Sequence, residues 1–244
     1  MNTPIKQRNP DNVMRVRRHQ ATRLEGFVDS AFAFAVTLIV MSVGHVPSSV
    51  PEMLQALRGL PTFAACFLMI SRFWANHRSW SRHYDLEDKT AVVLSLILVF
   101  FVLSYVYPLR LLFSISFASA THQWLADSPI EIHSIDELRA AYVVFGIGLA
   151  AISLTFVLLF RHALRSAERI GLDADERIVT RARIFGWACT LGVSLMSVAT
   201  ACVIPFDVTK PWLFAVPGCM YWLLIFSRRG ADRMAMRQIA ARVA

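Results

Sequence analysis

Six long apolar blocks, separated by polar segments, dominate the pattern of the chain. Crossing the ~30 Å hydrocarbon core of a bilayer takes roughly 20 apolar helical residues, and most of the blocks reach that length. The pattern therefore predicts six membrane-spanning helices. The predicted spans run from Gly26 to His45, Leu54 to Trp74, Thr90 to Phe113, Leu138 to Phe160, Ile184 to Ile204 and Trp212 to Ser227.

The composition favours an all-α integral membrane protein. Of the 244 residues, 56% are apolar and only 17% are charged, and the mean hydropathy is +0.49. A soluble domain carries roughly 25% charged residues, so soluble enzymes and disordered proteins are excluded. The four cysteines all lie in apolar blocks and show neither a disulfide framework nor a zinc-binding spacing. No metal site is predicted.

The basic residues are distributed unequally along the chain. Twenty-one of the 25 Lys and Arg residues lie before the first span, in the second and fourth loops, or after the sixth span. The positive-inside rule places these regions, and so both termini, in the cytoplasm. The net charge of +8 then predicts contact with the lipid bilayer, not with nucleic acid. We divide the chain into a basic N-terminus (1–22), a six-helix membrane domain (23–227) and a basic C-terminal tail (228–244).

The first span carries an acidic residue, Asp29, in its opening turns. A charge at membrane depth costs about 3 kcal/mol or more on insertion scales, so it needs a partner, water or a helix N-terminus. Alternatively, Asp29 only caps its helix. If the first two spans form a hairpin, Trp74 becomes an interfacial anchor. His77 then donates a hydrogen bond to Asp29, with Arg23 as the alternative partner.

An apolar stripe follows the first span. Phe27, Phe34, Leu38 and Met41 are spaced by seven, four and three residues, which places them on one helical face. In several copies around an axis they would form rings that exclude water and resist ions. Lipid contact or core packing explains the same spacing, and the Thr37 hydroxyl is equally suited to bonding back to a carbonyl of its own helix. Periodicity leaves these alternatives open.

The two polar stretches together resemble the signature of the transmembrane protein 175 family of potassium channels, in its short bacterial form. That signature is an Arg, three residues and Phe-Ser-Asp at the start of the first helix, followed by small and apolar residues and a Thr. The second helix ends in a Trp, two residues, and His followed by Arg, and the next helix is aliphatic and breaks at a Pro. The matching residues are Arg23, Phe27, Val28, Asp29, Thr37, Trp74, His77, Arg78 and the stretch from Leu94 to Pro108.

The resemblance implies a homotetramer in which the first helices of four subunits line a central pore. It assigns Phe34, Leu38 and Met41 to apolar pore rings and Thr37 to a polar selectivity layer. It also implies a structural network at the cytoplasmic side. The members of that network are Arg23, Phe27, Asp29, Trp74 and His77.

Two residues depart from the family pattern. Val28 replaces a Ser and removes a hydroxyl from the implied network. Phe34 stands where the family usually has Ile, which makes the implied constriction bulkier.

The expected function is a potassium-permeable, weakly selective cation channel in a bacterial plasma membrane. Its partners are potassium and other monovalent cations, and no cofactor is expected. The chain has no Thr-Val-Gly-Tyr-Gly sequence, which excludes a carbonyl-cage filter. A secondary cation or proton-coupled transporter using Asp29 is the alternative. An enzyme ranks last, because Arg23, Asp29 and His77 include no nucleophile and no metal set, so no catalytic residue is predicted.

Overall fold

The structure is a computed structural model, and it describes residues 13–42, 48–122, 124–125, 134–203 and 223–243. All regular secondary structure within these ranges is α-helical. The seven helices of the described ranges are α1 (Arg23–Met41), α2 (Val50–Arg58), α3 (Leu60–Tyr84), α4 (Lys89–Ala120), α5 (Ile135–Arg165), α6 (Ala174–Val203) and α7 (Leu223–Val243).

Four of the described helices, α1, α4, α5 and α6, are long and apolar enough to cross a membrane. Helices α2 and α3 meet at a bend of 47° and form a fifth span if the pair is counted as one. Gly59 ends α2, and Pro61 lies in the first turn of α3, where its missing N–H costs least. The predicted second span crosses this bend. Residues 212–222 of the predicted sixth span lie outside the described residues.

Helix α4 continues through Pro108 to Ala120, so the expected break at this proline is wrong. Proline removes one backbone N–H and usually kinks a soluble helix. Membrane helices tolerate it because neighbouring helices support both sides of the site. Leu109 and Leu112, just beyond the proline, are buried against the rest of the subunit. The apolar packing therefore carries the helix past Pro108.

An aromatic cluster joins α3, α5 and α6. Phe156 stacks on Trp187 with ring centroids 4.2 Å apart, and Phe73 lies 6.3 Å from Trp187. Trp80 is buried and donates its indole N–H to the Leu159 carbonyl at 3.0 Å. Its ring also neighbours Tyr84. These large rings form the centre of the subunit and hold α3 in place beside α1.

The N-terminal segment (residues 13–22) crosses the ends of α3 and α6 before it enters α1. The backbone N–H groups of Arg17 and Arg18 both donate to the Arg82 carbonyl. The Arg17 guanidinium contacts both carboxylate oxygens of Glu176 at 2.9 and 2.6 Å and donates to the Ile170 carbonyl. These bonds to Glu176 raise the pKa of Arg17. The segment that precedes α1 is thus tied to the ends of the other helices.

The residues predicted as a basic C-terminal tail form most of α7. Ala231, Ala235 and Ile239 recur every four residues and are buried, because α7 packs on α6. Arg242 lies 3.9 Å from Asp175 at the start of α6. The basic residues of this region are therefore carried on a packed helix.

Candidate functional site on the first helix

Helix α1 begins with a side-chain cap. The Thr22 hydroxyl accepts a hydrogen bond from the Glu25 backbone N–H at 3.2 Å, which satisfies one of the free donors at the helix start. The helix then runs for 19 residues, or about 28 Å at 1.5 Å per residue. It can therefore cross nearly the whole apolar layer of a bilayer without an interruption.

Helix α1 has two faces with different surroundings. One face packs against α3 and α4, and its buried side chains are Glu25, Val28, Phe32, Ala35 and Ile39. The opposite face is uncovered in the subunit. The residues of this exposed stripe are Phe27, Ser30, Phe34, Thr37 and Met41.

The residues predicted to line a pore occupy different parts of this helix. Phe34 and Met41 are 54% and 69% exposed, and Thr37 lies between them on the exposed stripe. Leu38 is half-buried and packs against the core cluster at the edge of the stripe. The sequence interpretation did not include Ser30 in this face. Ser30 lies four residues before Phe34 and seven before Thr37, and this spacing places it on the same side of the helix.

Both hydroxyl groups of the exposed stripe donate to their own helix. Ser30 Oγ donates to the Gly26 carbonyl at 2.8 Å, and Thr37 Oγ1 donates to the Ala33 carbonyl at 3.1 Å. Such back-bonding uses the single hydroxyl hydrogen. The oxygen lone pairs stay free on the exposed side, where they can accept a hydrogen bond from water or coordinate a cation.

Asp29 is bound by a residue of α3. The Trp74 indole N–H donates to Asp29 Oδ1 at 2.7 Å. Both residues are half-buried. A neutral donor therefore satisfies one oxygen of the acid and attaches α1 to α3 near its start.

The predicted partners of Asp29 were wrong. His77 Nε2 instead lies 2.9 Å from Ser95 Oγ of α4. His77 is about 60° around α3 from Trp74 and about 4.5 Å further along the axis, which turns it away from Asp29. Arg23 is exposed and forms no ion pair with Asp29, since six helical residues separate their side chains by about 120°.

A second acid of α1 was missed by the sequence interpretation. Glu25 is only 2% exposed, and its Oε1 lies 3.7 Å from Arg82 Nε on α3. Its Oε2 has no hydrogen-bond partner among the described residues. Glu25 precedes Asp29 on α1, and Arg82 follows Trp74 on α3. The Glu25–Arg82 and Asp29–Trp74 pairs therefore lie along the same antiparallel contact between the two helices. Their positions along the two helices were the available sequence signal.

The other end of α1 is held by α4. The Arg110 guanidinium donates to the carbonyl of Ser42, the residue that ends α1. A cation at a helix C-terminus is favoured by the free carbonyls and the helix dipole. The stripe is therefore presented by a helix that is attached to its own subunit at both ends.

The four helices that are long and apolar enough to cross a membrane define a multi-pass membrane protein. Residues 23–108 match the sequence model of the family described as endosomal/lysosomal potassium channel TMEM175. A potassium channel of Marivirga tractuosa is 29% identical over 215 residues, which cover 86% of this chain and 85% of that protein. A potassium channel of Streptomyces collinus is 24% identical over 193 residues, covering 73% and 84%.

Two solved channel structures are similar in fold to the chain. A crystal structure of a threonine-to-alanine variant of the potassium channel MtTMEM175, bound to a nanobody fusion, matches with a TM-score of 0.76 and 26% identity. The match covers 92% of this chain and 97% of that one. A TMEM175 homologue from Chamaesiphon minutus has the same fold, with a TM-score of 0.54 and 22% identity over 86% and 97% of the two chains. Over residues 23–108 the chain is thus similar to the TMEM175 family, and over most of its length it is similar to proteins that are potassium channels and not enzymes.

Proposed function

We propose that the protein is a potassium-permeable, weakly selective cation channel built from four copies of the chain. The exposed stripe of α1 carries this proposal. An uncovered membrane helix faces lipid, another subunit or water, and this stripe alternates rings of Phe and Met with hydroxyls that have free lone pairs. Around a fourfold axis, these side chains would line the central pathway.

In this pore, the apolar rings form the barrier and the hydroxyls contact the ion. Phe34 and Met41 narrow the pathway and exclude water, so an ion that loses part of its hydration shell finds no compensation there. Thr37 supplies oxygen ligands between the two rings. Leu38 borders the pathway and contributes less, because it is half-buried in its own subunit.

The relatives support potassium as the permeant ion, since two matched proteins are potassium channels. The transporter alternative depends on Asp29 as a cation or proton site. That carboxylate already accepts the Trp74 N–H within its subunit, so no observation favours transport through it.

Currents through the purified protein in planar bilayers test the proposal. In potassium and sodium gradients, the parent should conduct both ions with a preference for potassium. Phe34→Asn should raise the current because it lets water into the constriction. Val36→Asn is the matched control, since Val36 is half-buried against the core and its replacement should leave conductance nearly unchanged. A larger effect at Val36 than at Phe34 would refute this pore face.

Assembly and orientation need separate measurements. Mass measurement in detergent should give a tetramer, and a stable monomer that still passes ions would contradict the shared pore. We place the chain in a bacterial plasma membrane with both termini in the cytoplasm, as the charge asymmetry predicts. A reporter fused after Ala244 should then be active inside the cell, and one inserted near Ser128 should be active outside.

A further inference from the structure

Arg23 extends the exposed stripe of α1 to the first turn of the helix. It is the first residue of α1 and directly follows the Thr22 cap. At about 100° per residue, Arg23 lies in line with Met41 and within about 20° of Ser30 and Phe34 around the helix. It is exposed, as they are. The stripe therefore begins with a cation, about 16 Å along the helix axis from Phe34.

The guanidinium of Arg23 has neither an ion pair nor a hydrogen bond within the described part of the chain. The three arginines of the N-terminal segment that precedes it are all paired with acids of other elements. These pairs are Arg15 with Asp173, Arg17 with Glu176, and Arg18 with both Asp85 and Glu87. Arg23 therefore keeps its full charge for whatever the start of the stripe faces.

The two acids of α1 do not neutralise Arg23, because both face α3. Glu25 is buried, with its Oε1 3.7 Å from Arg82 Nε, and Asp29 accepts the Trp74 N–H. Glu25 and Asp29 lie about 160° and 120° around the helix from Arg23. The outward face of the first turns of α1 therefore carries a positive charge without a compensating acid.

A cation in this position does not stabilise the helix itself. The free N–H groups at a helix N-terminus carry partial positive charge, so acids are favoured there and cations are disfavoured. Arg23 occupies the first helical position and gains no compensating contact among the described residues of its subunit. A residue that breaks a local rule without such a gain is typical of a functional site.

From this arrangement we infer that the Arg23 side chains of four copies form a positive ring at the cytoplasmic mouth of the pore, which limits outward potassium current. The inference rests on the proposed function, because only a shared pathway brings the four guanidinium groups together. A potential of about one kT lowers the local concentration of a monovalent cation roughly threefold. Ions that enter from outside reach the constriction at Phe34 before they reach the ring. The channel should therefore pass inward current more easily than outward current.

Currents in excised membrane patches, where the orientation of the protein is known, test this inference. In symmetric potassium chloride at about 0.1 M, the outward current of the parent should be roughly twofold to threefold smaller than the inward current at equal and opposite voltages. R23Q should remove this asymmetry, and R23K should retain it because the charge is kept. R161Q is the matched control, since Arg161 is an exposed arginine of α5 whereas α1 packs against α3 and α4. It should rectify like the parent.

Ionic strength provides a second test, which needs no variant. The Debye length falls from about 10 Å at 0.1 M salt to about 3 Å at 1 M, so the rectification of the parent should weaken as potassium chloride is raised. The current ratio of R23Q should not respond to salt. Rectification that persists in R23Q, or that is insensitive to salt in the parent, would overturn the inference.

Two further results distinguish failure of the ring from failure of the proposed pore. If Phe34→Asn raises the current but R23Q rectifies like the parent, the pore face holds and the ring is refuted. If neither variant changes the current, the pore assignment fails and the ring fails with it. Loss of the tetramer in R23Q but not in R23K would identify Arg23 as a contact between copies, which also overturns the ring.

Discussion

Helices α1 and α4 both expose a stripe of side chains, but the two stripes have different chemistry. The stripe of α4 from Val93 to Phe100 is aliphatic and aromatic, as lipid contact requires. The stripe of α1 alternates large apolar residues with Ser30 and Thr37. Exposure alone therefore does not distinguish the two stripes, and the proposed pore face depends on the hydroxyls that lie between the large apolar residues of α1. The comparison leads to tests that use matched residues on the two helices.

A charge placed on each stripe should have the largest effect. Phe100 and Phe34 are both exposed phenylalanines, eleven residues after the start of their helices. Phe100→Asp should lower the yield of folded tetramer sharply, because a charge facing lipid costs about 3 kcal/mol or more. Phe34→Asp should assemble and raise cation current, since water hydrates the carboxylate in a pore. Fluorescence size-exclusion and bilayer currents measure the two effects, and an equal loss of tetramer in both variants would break the comparison.

Loss of the hydrogen bond from Trp74 to Asp29, which attaches α1 to α3, should have the next largest effect. Asp29→Asn keeps an acceptor for the Trp74 N–H but removes the charge, whereas Trp74→Phe removes the donor. Trp74→Phe should lower the stability of the protein by about 1–3 kcal/mol, because the half-buried carboxylate loses its donor, and Asp29→Asn should cost less, because a neutral acceptor remains. The double variant should lose less than the sum of the two single losses. Additive losses would mean that this hydrogen bond does not stabilise the position of α1.

Loss of one exposed hydroxyl on each helix should give the smallest effect. Thr37 on α1 and Ser104 on α4 are both exposed and lie at similar distances from the starts of their helices. Thr37→Ala should change the potassium-to-sodium permeability ratio a few-fold, which corresponds to about 1 kcal/mol or less, and Thr37→Ser should restore it. Ser104→Ala should leave the ratio unaltered. Reversal potentials under mixed potassium and sodium solutions give both values.

The sequence predicted the helical architecture better than the contacts between helices. Apolar length was enough to find the four helices that can cross a membrane and the bent pair of α2 and α3. The continuation of α4 past Pro108 was missed because it depends on the packing of residues beyond the proline. The bend between α2 and α3 was also missed, although Gly59 and Pro61 mark it in the sequence.

The sequence indicated which helix to consider for the site, but it did not give the rotation of that helix about its own axis. The family resemblance put Asp29 and Trp74 in one network, and these two side chains are hydrogen-bonded. Choosing His77 as the donor failed because a rotation of about 60° along α3 decides which residue faces α1. On α1, Leu38 was expected on the exposed face but is half-buried, and Ser30 was not expected there but is exposed. The boundary between the two faces depends on how neighbouring helices pack, and the spacing of residues along one helix does not give that packing.

The ion pair between Arg17 and Glu176 has a consequence for the timing of biosynthesis. The two residues are 159 positions apart in the chain, so the first helix is made and inserted long before the carboxylate that fixes the segment in front of it. Contacts between such distant residues form late, because the intervening chain must first be ordered. Until α6 is made, the segment in front of α1 can bond only to the end of α3 and to the residues just after it. In the proposed tetramer, the ion pair between Arg17 and Glu176 can therefore form only in chains that have been synthesised as far as α6.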